Sequence, residues 1–218
     1  DGQNVFDAAT SFAGEWKTDE TATQLIEAGE IPPIIVVGID NAGAARGNEY
    51  LPRHAGARRP DMGGKADFYL RMIADEIMPK INTEFRTLTG PEHTAFGGSS
   101  FGGVVTLHAA MSRPDLFGAI LVESPSLWVE DGAFLQRVVE CKAWPQRVFL
   151  AQGDREYGEG KESAELVEMT RKVEAAMRQA GLGEDRLMVV IGEGDAHNEA
   201  AWAKRLPAAM EFLFAPAK

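Results

Sequence analysis

An α/β fold built on a mostly parallel sheet is what this sequence predicts. Short runs rich in Val, Ile, Leu or Phe alternate with longer stretches of helical periodicity along the 218 residues. The runs are nearly continuous in apolar character, as strands buried on both faces require. Each ends in a turn signal, such as Gly38-Ile39-Asp40-Asn41 or Gly97-Gly98-Ser99. At 44% apolar and 25% charged residues, the chain can bury one substantial core, so a single domain over 1–218 is expected.

In chain order, the first helical pattern is Thr18 to Ala28, with Leu25 and Ile26 on its apolar side. Ile34–Val37 reads as the first strand. The stretch from Asn41 to Lys65 then departs from the alternation. It carries Arg46, Arg53, Arg58, Arg59 and Lys65 against Glu49 and Asp61, a local charge of +3, and reads as a long basic loop or lid over the site. Ala66 to Phe85 spaces Phe68, Tyr69, Met72, Ile73, Ile77 and Ile81 as one helical face, and Pro79 should kink or split it. Thr94–Phe96, Ala119–Val122, Val148–Ala151 and Leu187–Ile191 complete a set of five strands. The remaining helices are Phe101 to Met111, Ala164 to Ala180, and Glu199 to Phe214, which Pro207 can divide. Strands alternating with helices at these lengths give a doubly wound arrangement, whose chemistry sits at the C-terminal ends of the strands.

The formal charge is −11, and such a surface repels phosphate backbones, so no nucleic-acid partner is expected. Apolar runs such as Ile31 to Ile39 are too short to span a bilayer, so no membrane partner is expected either. Cys141 is the one cysteine, which excludes an intrachain disulfide and leaves a cytoplasmic, periplasmic or secreted location open. No His-x-x-His or His-Glu-x-x-His spacing occurs, and Gly63-Gly64-Lys65 lacks Walker spacing, so neither a metal nor a cofactor is expected.

Gly98-Ser99-Ser100-Phe101-Gly102 fits Gly-x-Ser-x-Gly, between an apolar run and a helical segment. That is the strand–turn–helix setting of a nucleophile elbow, with Ser100 projecting from the turn. A serine needs a base to take its proton. Of four histidines, His93 is at the far end of the strand, His108 is two turns along the helix, and His54 is in the basic excursion. His197 follows the last strand, on the same side of the sheet as Ser100, and is the candidate base. A carboxylate should orient it. Asp154, Glu156, Glu123 and Glu159 are the candidates, and the residues needed to turn back after Gly153 favour Glu156.

Several segments together resemble one family. They are Asp1-Gly2-Gln3-Asn4-Val5-Phe6-Asp7, Val37-Gly38-Ile39-Asp40-Asn41, Asn48-Glu49-Tyr50-Leu51-Pro52, Gly97-Gly98-Ser99-Ser100-Phe101-Gly102-Gly103, Ser124-Pro125-Ser126-Leu127-Trp128 and Gly194-Asp195-Ala196-His197. The chain is similar along nearly its whole length to the Putative esterase family of α/β-hydrolases, which includes esterase D-like, enterochelin, feruloyl and acetylxylan esterases. The resemblance implies a three-layer α/β-hydrolase sandwich with Ser100 as nucleophile, His197 as base and Glu156 as acid. It also implies an oxyanion hole from the N–H groups of Phe101 and Gln3. In such proteins the Asp-Gly-Gln-Asn segment follows a third strand. Here it opens the chain, so the first three strands of the fold are expected to lie outside this sequence.

The expected reaction is two-step acyl transfer on a small-molecule carboxylic ester, by a monomer or homodimer. Activity should rise as His197 becomes neutral. The basic excursion, with Asn41 and Arg46, and Trp128 after a strand end are candidates for substrate contact and hint at an anionic or aromatic ester, of siderophore, feruloyl or acetyl type. An acyltransferase using the same acyl-enzyme, and a non-catalytic binding module on this fold, are the alternatives.

Overall fold

Four parallel strands run in sequential order through the centre of the molecule: β1 (Ala95–Ser99), β2 (Ala119–Glu123), β3 (Arg147–Gly153) and β4 (Leu187–Gly192). The computed structural model describes residues 1–11, 13–57 and 59–215. Arg58 of the basic excursion lies outside the described residues. The register is unbroken, with Ala95 beside Ala119, Ala119 beside Arg147 and Val148 beside Leu187.

The strands sort their side chains by parity. Ile120, Val122, Val148, Leu150 and Leu187 enter one core with Val104, Leu107, Val138, Val173 and Met177. Those partners come from α5 (Phe101–Ser112), α6 (Ala133–Glu140) and α7 (Lys161–Gln179). Leu121, Phe149, Ala151, Met188 and Val190 face the other way, against Ala209 and Leu213 of α8 (Glu199–Phe214). Right-handed crossovers between strands taken in sequential order must all lie on one face, so α5, α6 and α7 share that face. Helix α8 follows the last strand and covers the other, where Trp202, Leu206 and Met210 also hold Trp16 and Leu25. Leu25 belongs to α1 (Thr18–Glu27). Phe149 is fully buried between these layers, where truncation to Ala costs about 3–5 kcal/mol in typical cores.

Among the described residues four strands stand where five are expected. Ile34–Val37 is not in a sheet. The segment forms no regular element, and Ile35 remains half exposed. An apolar run becomes a strand only through ladder bonds. The main-chain bond recorded here is instead from the Gly2 N–H to the Ile39 carbonyl, at 2.7 Å. The basic excursion is partly ordered structure: it contains α2 (Arg46–Tyr50) and an antiparallel bridge between His54 and Gly63, and it buries Tyr50, Leu51 and Ala55.

Pro79 acts as the sequence implies. The helical stretch divides into α3 (Ala66–Met72), a π-helical turn (Ile73–Ile77) and α4 (Met78–Glu84). Pro79 has no N–H for the carbonyl of Asp75, and the wider turn makes room for its ring. Pro207 differs. It lies inside an undivided α8, where it removes one bond, to the Ala203 carbonyl. Among the described residues no helix is long and apolar enough to cross a membrane.

Candidate active site

Ser100 sits between β1 and α5 with φ 58° and ψ −120°, a backbone region a non-glycine residue adopts only under constraint. Two groups of contacts impose it. The Ser100 N–H donates to the Glu123 carbonyl at 3.0 Å, and the Ser100 carbonyl accepts from Ser126 N–H at 3.3 Å and Val104 N–H at 3.2 Å. The turn also requires the helix to approach its own strand closely. A Cβ on Gly98 would come within 2.9 Å of the Gly102 carbonyl carbon, so the glycine there is a steric necessity. The Ser100 side chain makes no capping bond to α5. Phe101 opens that helix, so its N–H has no acceptor within the helix.

Glu156 and His197 are brought together. Glu156 follows β3, is 4% exposed, and its Oε2 meets His197 Nδ1. The His197 N–H also donates to the Glu156 carbonyl at 3.2 Å. Glu156 Oε1 accepts from the Gly153 N–H at 2.7 Å and from the Ser124 hydroxyl at 2.6 Å. With Glu156 as acceptor, Nδ1 carries the proton and Nε2 of the neutral ring is the acceptor. The imidazole is held on both sides, stacked on Tyr157 with centroids 5.6 Å apart and edge-on to Trp202 at 5.2 Å.

The other carboxylates weighed from the sequence have structural partners. Asp154 accepts from the Gly194 N–H at 2.7 Å and so braces the histidine loop. Glu159 pairs on the surface with Arg155. Glu123 is fully buried against Arg205, with Oε2 3.0 Å from Nε and 2.7 Å from Nη2, and burial pushes its pKa up to about 7 against the pull of that guanidinium. Arg205 also reaches Asp195, two residues before His197, at 2.6 Å. Burial alone would raise the Asp195 pKa, but bonds from Lys204 and Arg205 hold it below the ordinary carboxylate value. Of the remaining histidines, His108 meets Asp67 of α3 at 2.7 Å, and His93 ends a short 3-10 turn ahead of β1.

Gln3 lies in a 3-10 turn over Gly2–Asn4. A polar clip holds that turn. The Asp1 carboxylate accepts from Arg46 Nε and Nη2 at 2.6 and 2.7 Å and from Asn41 Nδ2 at 2.6 Å. Gln3 Oε1 accepts from the Asn41 N–H at 3.2 Å. Asn4, just beyond, donates from Nδ2 to Glu199 of α8 at 2.9 Å. Arg46 also lies 5.3 Å from the ring centroids of Tyr50 and Phe101. Trp128 is partly exposed, with its ring 6.3 Å from that of Phe101.

Two residues at this site were not legible as such. Ser124 stands just past β2, and its one local signal is a hydroxyl at a strand's C-terminal end. Trp202 lies inside an amphipathic helix and gives no local signal distinguishing it from a core residue.

The sequence model of a family described as Putative esterase matches residues 1–213. The uncharacterized protein YbbA of Bacillus subtilis is 28% identical over 215 residues, covering 96% of this chain and 84% of its own length. A siderophore enterobactin esterase of Emericella nidulans is 26% identical over 147 residues, 63% of this chain and 48% of its own, so this chain spans about half of that relative. Among solved structures, an IroE-like serine hydrolase from Shewanella oneidensis aligns with a TM-score of 0.72 at 22% identity, over 90% of this chain and 66% of that one. The fold is α/β-hydrolase-like.

Proposed function

Since the chain belongs to the Putative esterase family, we propose that it hydrolyses carboxylic esters through an acyl-enzyme on Ser100. The observation that carries this reading is the buried Glu156 carboxylate on His197 Nδ1, at the same edge of the sheet as the strained Ser100 turn. His197 Nε2 takes the hydroxyl proton as Ser100 Oγ attacks the ester carbonyl. The N–H groups of Phe101 and Gln3 receive the developing oxyanion, and the Arg46–Asp1–Asn41 clip keeps Gln3 in place. The alcohol leaves with the proton from His197. Water, activated by the same imidazole, then releases the acid and frees Ser100.

The substrate is an ester with an aromatic part. Half-exposed Tyr157 beside His197, and Trp128 beside Phe101, offer aromatic walls next to the proposed base and next to the nucleophile turn. The Emericella nidulans relative is named as a siderophore enterobactin esterase, and a siderophore ester is the substrate type proposed here. Labelling with a fluorophosphonate and peptide mapping tests the reading without a chosen substrate. An adduct on Ser100 that is lost in His197→Ala is expected. Labelling at another serine, or labelling of His197→Ala at the wild-type rate, would overturn it.

A further inference from the structure

Resting on the reading of Glu156 and His197 as a catalytic pair, we infer that Ser124 is a positioning residue, driven by Trp202, that fixes which oxygen of Glu156 meets the histidine. The indole N–H of Trp202 is a donor only, and it lies 2.9 Å from Ser124 Oγ. Ser124 must therefore accept there, and its single proton goes to its other neighbour, Glu156 Oε1, at 2.6 Å. Oε1 already accepts from the Gly153 N–H at 2.7 Å. Two donors saturate Oε1 and exclude a proton from it. Oε2 alone is left for His197 Nδ1, which must then be the protonated nitrogen.

The relay spans the ends of β2, β3 and β4 and one turn of α8, and Ser124 and Trp202 are 1% and 4% exposed, so water cannot substitute freely for a lost bond. Ser124 adopts φ 43°, a left-handed backbone that aims its side chain across to β3, and its N–H is bound to the Ala151 carbonyl at 2.8 Å. The charged groups around the pair are the carboxylates of Glu123 at the end of β2, Glu199 on α8 and Asp195 in the histidine loop, with the Tyr157 phenol stacked on the ring; Glu123 and Asp195 engage Arg205. Those three are carboxylates and cannot donate to Glu156 when ionised. The donors that meet it are the Gly153 N–H, the Ser124 hydroxyl and the imidazole itself.

Ser124→Ala and Ser124→Gly remove the hydroxyl, and glycine suits the left-handed backbone, so at least one variant retains the turn. With p-nitrophenyl acetate, kcat should fall about 10–100-fold, as for a lost hydrogen bond to a charged group, with KM within about twofold. A carboxylate with one donor fewer is a stronger base, so the acid-side midpoint of the pH–kcat/KM profile should move up by roughly half a unit. Trp202→Phe, which keeps the ring but not the N–H, should move both readouts the same way by less. Unchanged kcat and midpoint in the folded serine variants would overturn the inference. So would a loss of kcat with the midpoint unmoved, which marks a purely structural role. Wild-type protein without a fluorophosphonate adduct at Ser100 would instead overturn the functional reading on which it rests.

Discussion

The two sides of the Ser100 turn are held by different means. On the base side, Trp202, Ser124, Glu156 and His197 form one buried series of hydrogen bonds tied to three strand ends. On the side proposed to hold the oxyanion, Gln3 hangs on an ion pair and two amide contacts, and Arg46 and Asp1 keep 23% and 16% of their side-chain exposure. The neighbouring segment Ile34–Val37 belongs to no sheet. A buried network is rigid because any broken bond leaves an unsatisfied polar group. A partly solvated ion pair is replaceable by water and screened by salt. On the proposed mechanism, proton transfer is thus pre-set by the fold, whereas oxyanion binding depends on a clip that solution conditions can loosen.

The sharpest way to break that contrast is to remove the reacting groups. Ser100→Ala and His197→Ala should each lower kcat by roughly 10⁴–10⁶-fold at nearly unchanged melting temperature, read from ester turnover and thermal unfolding in parallel. A large loss of stability in His197→Ala would mean that the ring is a core element first. Glu156→Gln should cost about 10²–10⁴-fold in kcat, because its amide can offer His197 a donor and so favour the wrong tautomer. Equal activity of Glu156→Gln and wild type would remove Glu156 from the mechanism and transfer attention to Asp154.

The buried side should also be the one where pH acts on stability. Burial raises the Glu123 pKa from 4.5 to about 7 in the folded protein. Between those values the unfolded chain has released the proton and the native state still holds it, so stability contributed by this group is present below about pH 4.5 and lost as pH rises to about 7. The shift corresponds to a loss on the order of 3 kcal/mol, which is several degrees of melting temperature for a chain of this size. Melting curves at pH 5 and pH 8 should therefore differ more for wild type than for Glu123→Gln. An identical difference in the two proteins would show that Arg205 keeps Glu123 ionised throughout.

How much of this was legible follows the same division. The elbow could be read because glycine is sterically required at Gly98, and because a serine between an apolar run and a helix leaves a local trace. His197 and Glu156 could be proposed from their places after β4 and β3, since strand ends set where such loops open. Ser124 and Trp202 could not be read as partners, because a contact across 78 positions is invisible to periodicity. Ile34–Val37 misled for a related reason: apolar composition records what a segment could bury, whereas a ladder needs a second chain segment beside it. Pro207 misled because one missing bond in a well-packed helix is a small loss against the burial of Trp202, Leu206 and Met210.

The smallest expected effect decides what Arg46 does. A cation in a basic excursion suits an anionic substrate, but here both guanidinium bonds go to the Asp1 carboxylate, and the remaining faces lie near Tyr50 and Phe101. A guanidinium so engaged has little charge left to offer a ligand and much to offer the Gln3 turn. Arg46→Ala should then lower kcat about three- to tenfold for neutral and anionic esters alike, with KM little changed, in line with a partly exposed charge-assisted pair. Asn41→Ala should act in the same direction, and the two losses should fall short of additive, since both residues hold the same carboxylate. Raised salt should lower wild-type kcat slightly and leave Arg46→Ala unaffected. A rise in KM confined to anionic esters would reverse the assignment. It would place Arg46 on the substrate and leave the oxyanion turn to be held by Asn41 and by Asn4 on Glu199.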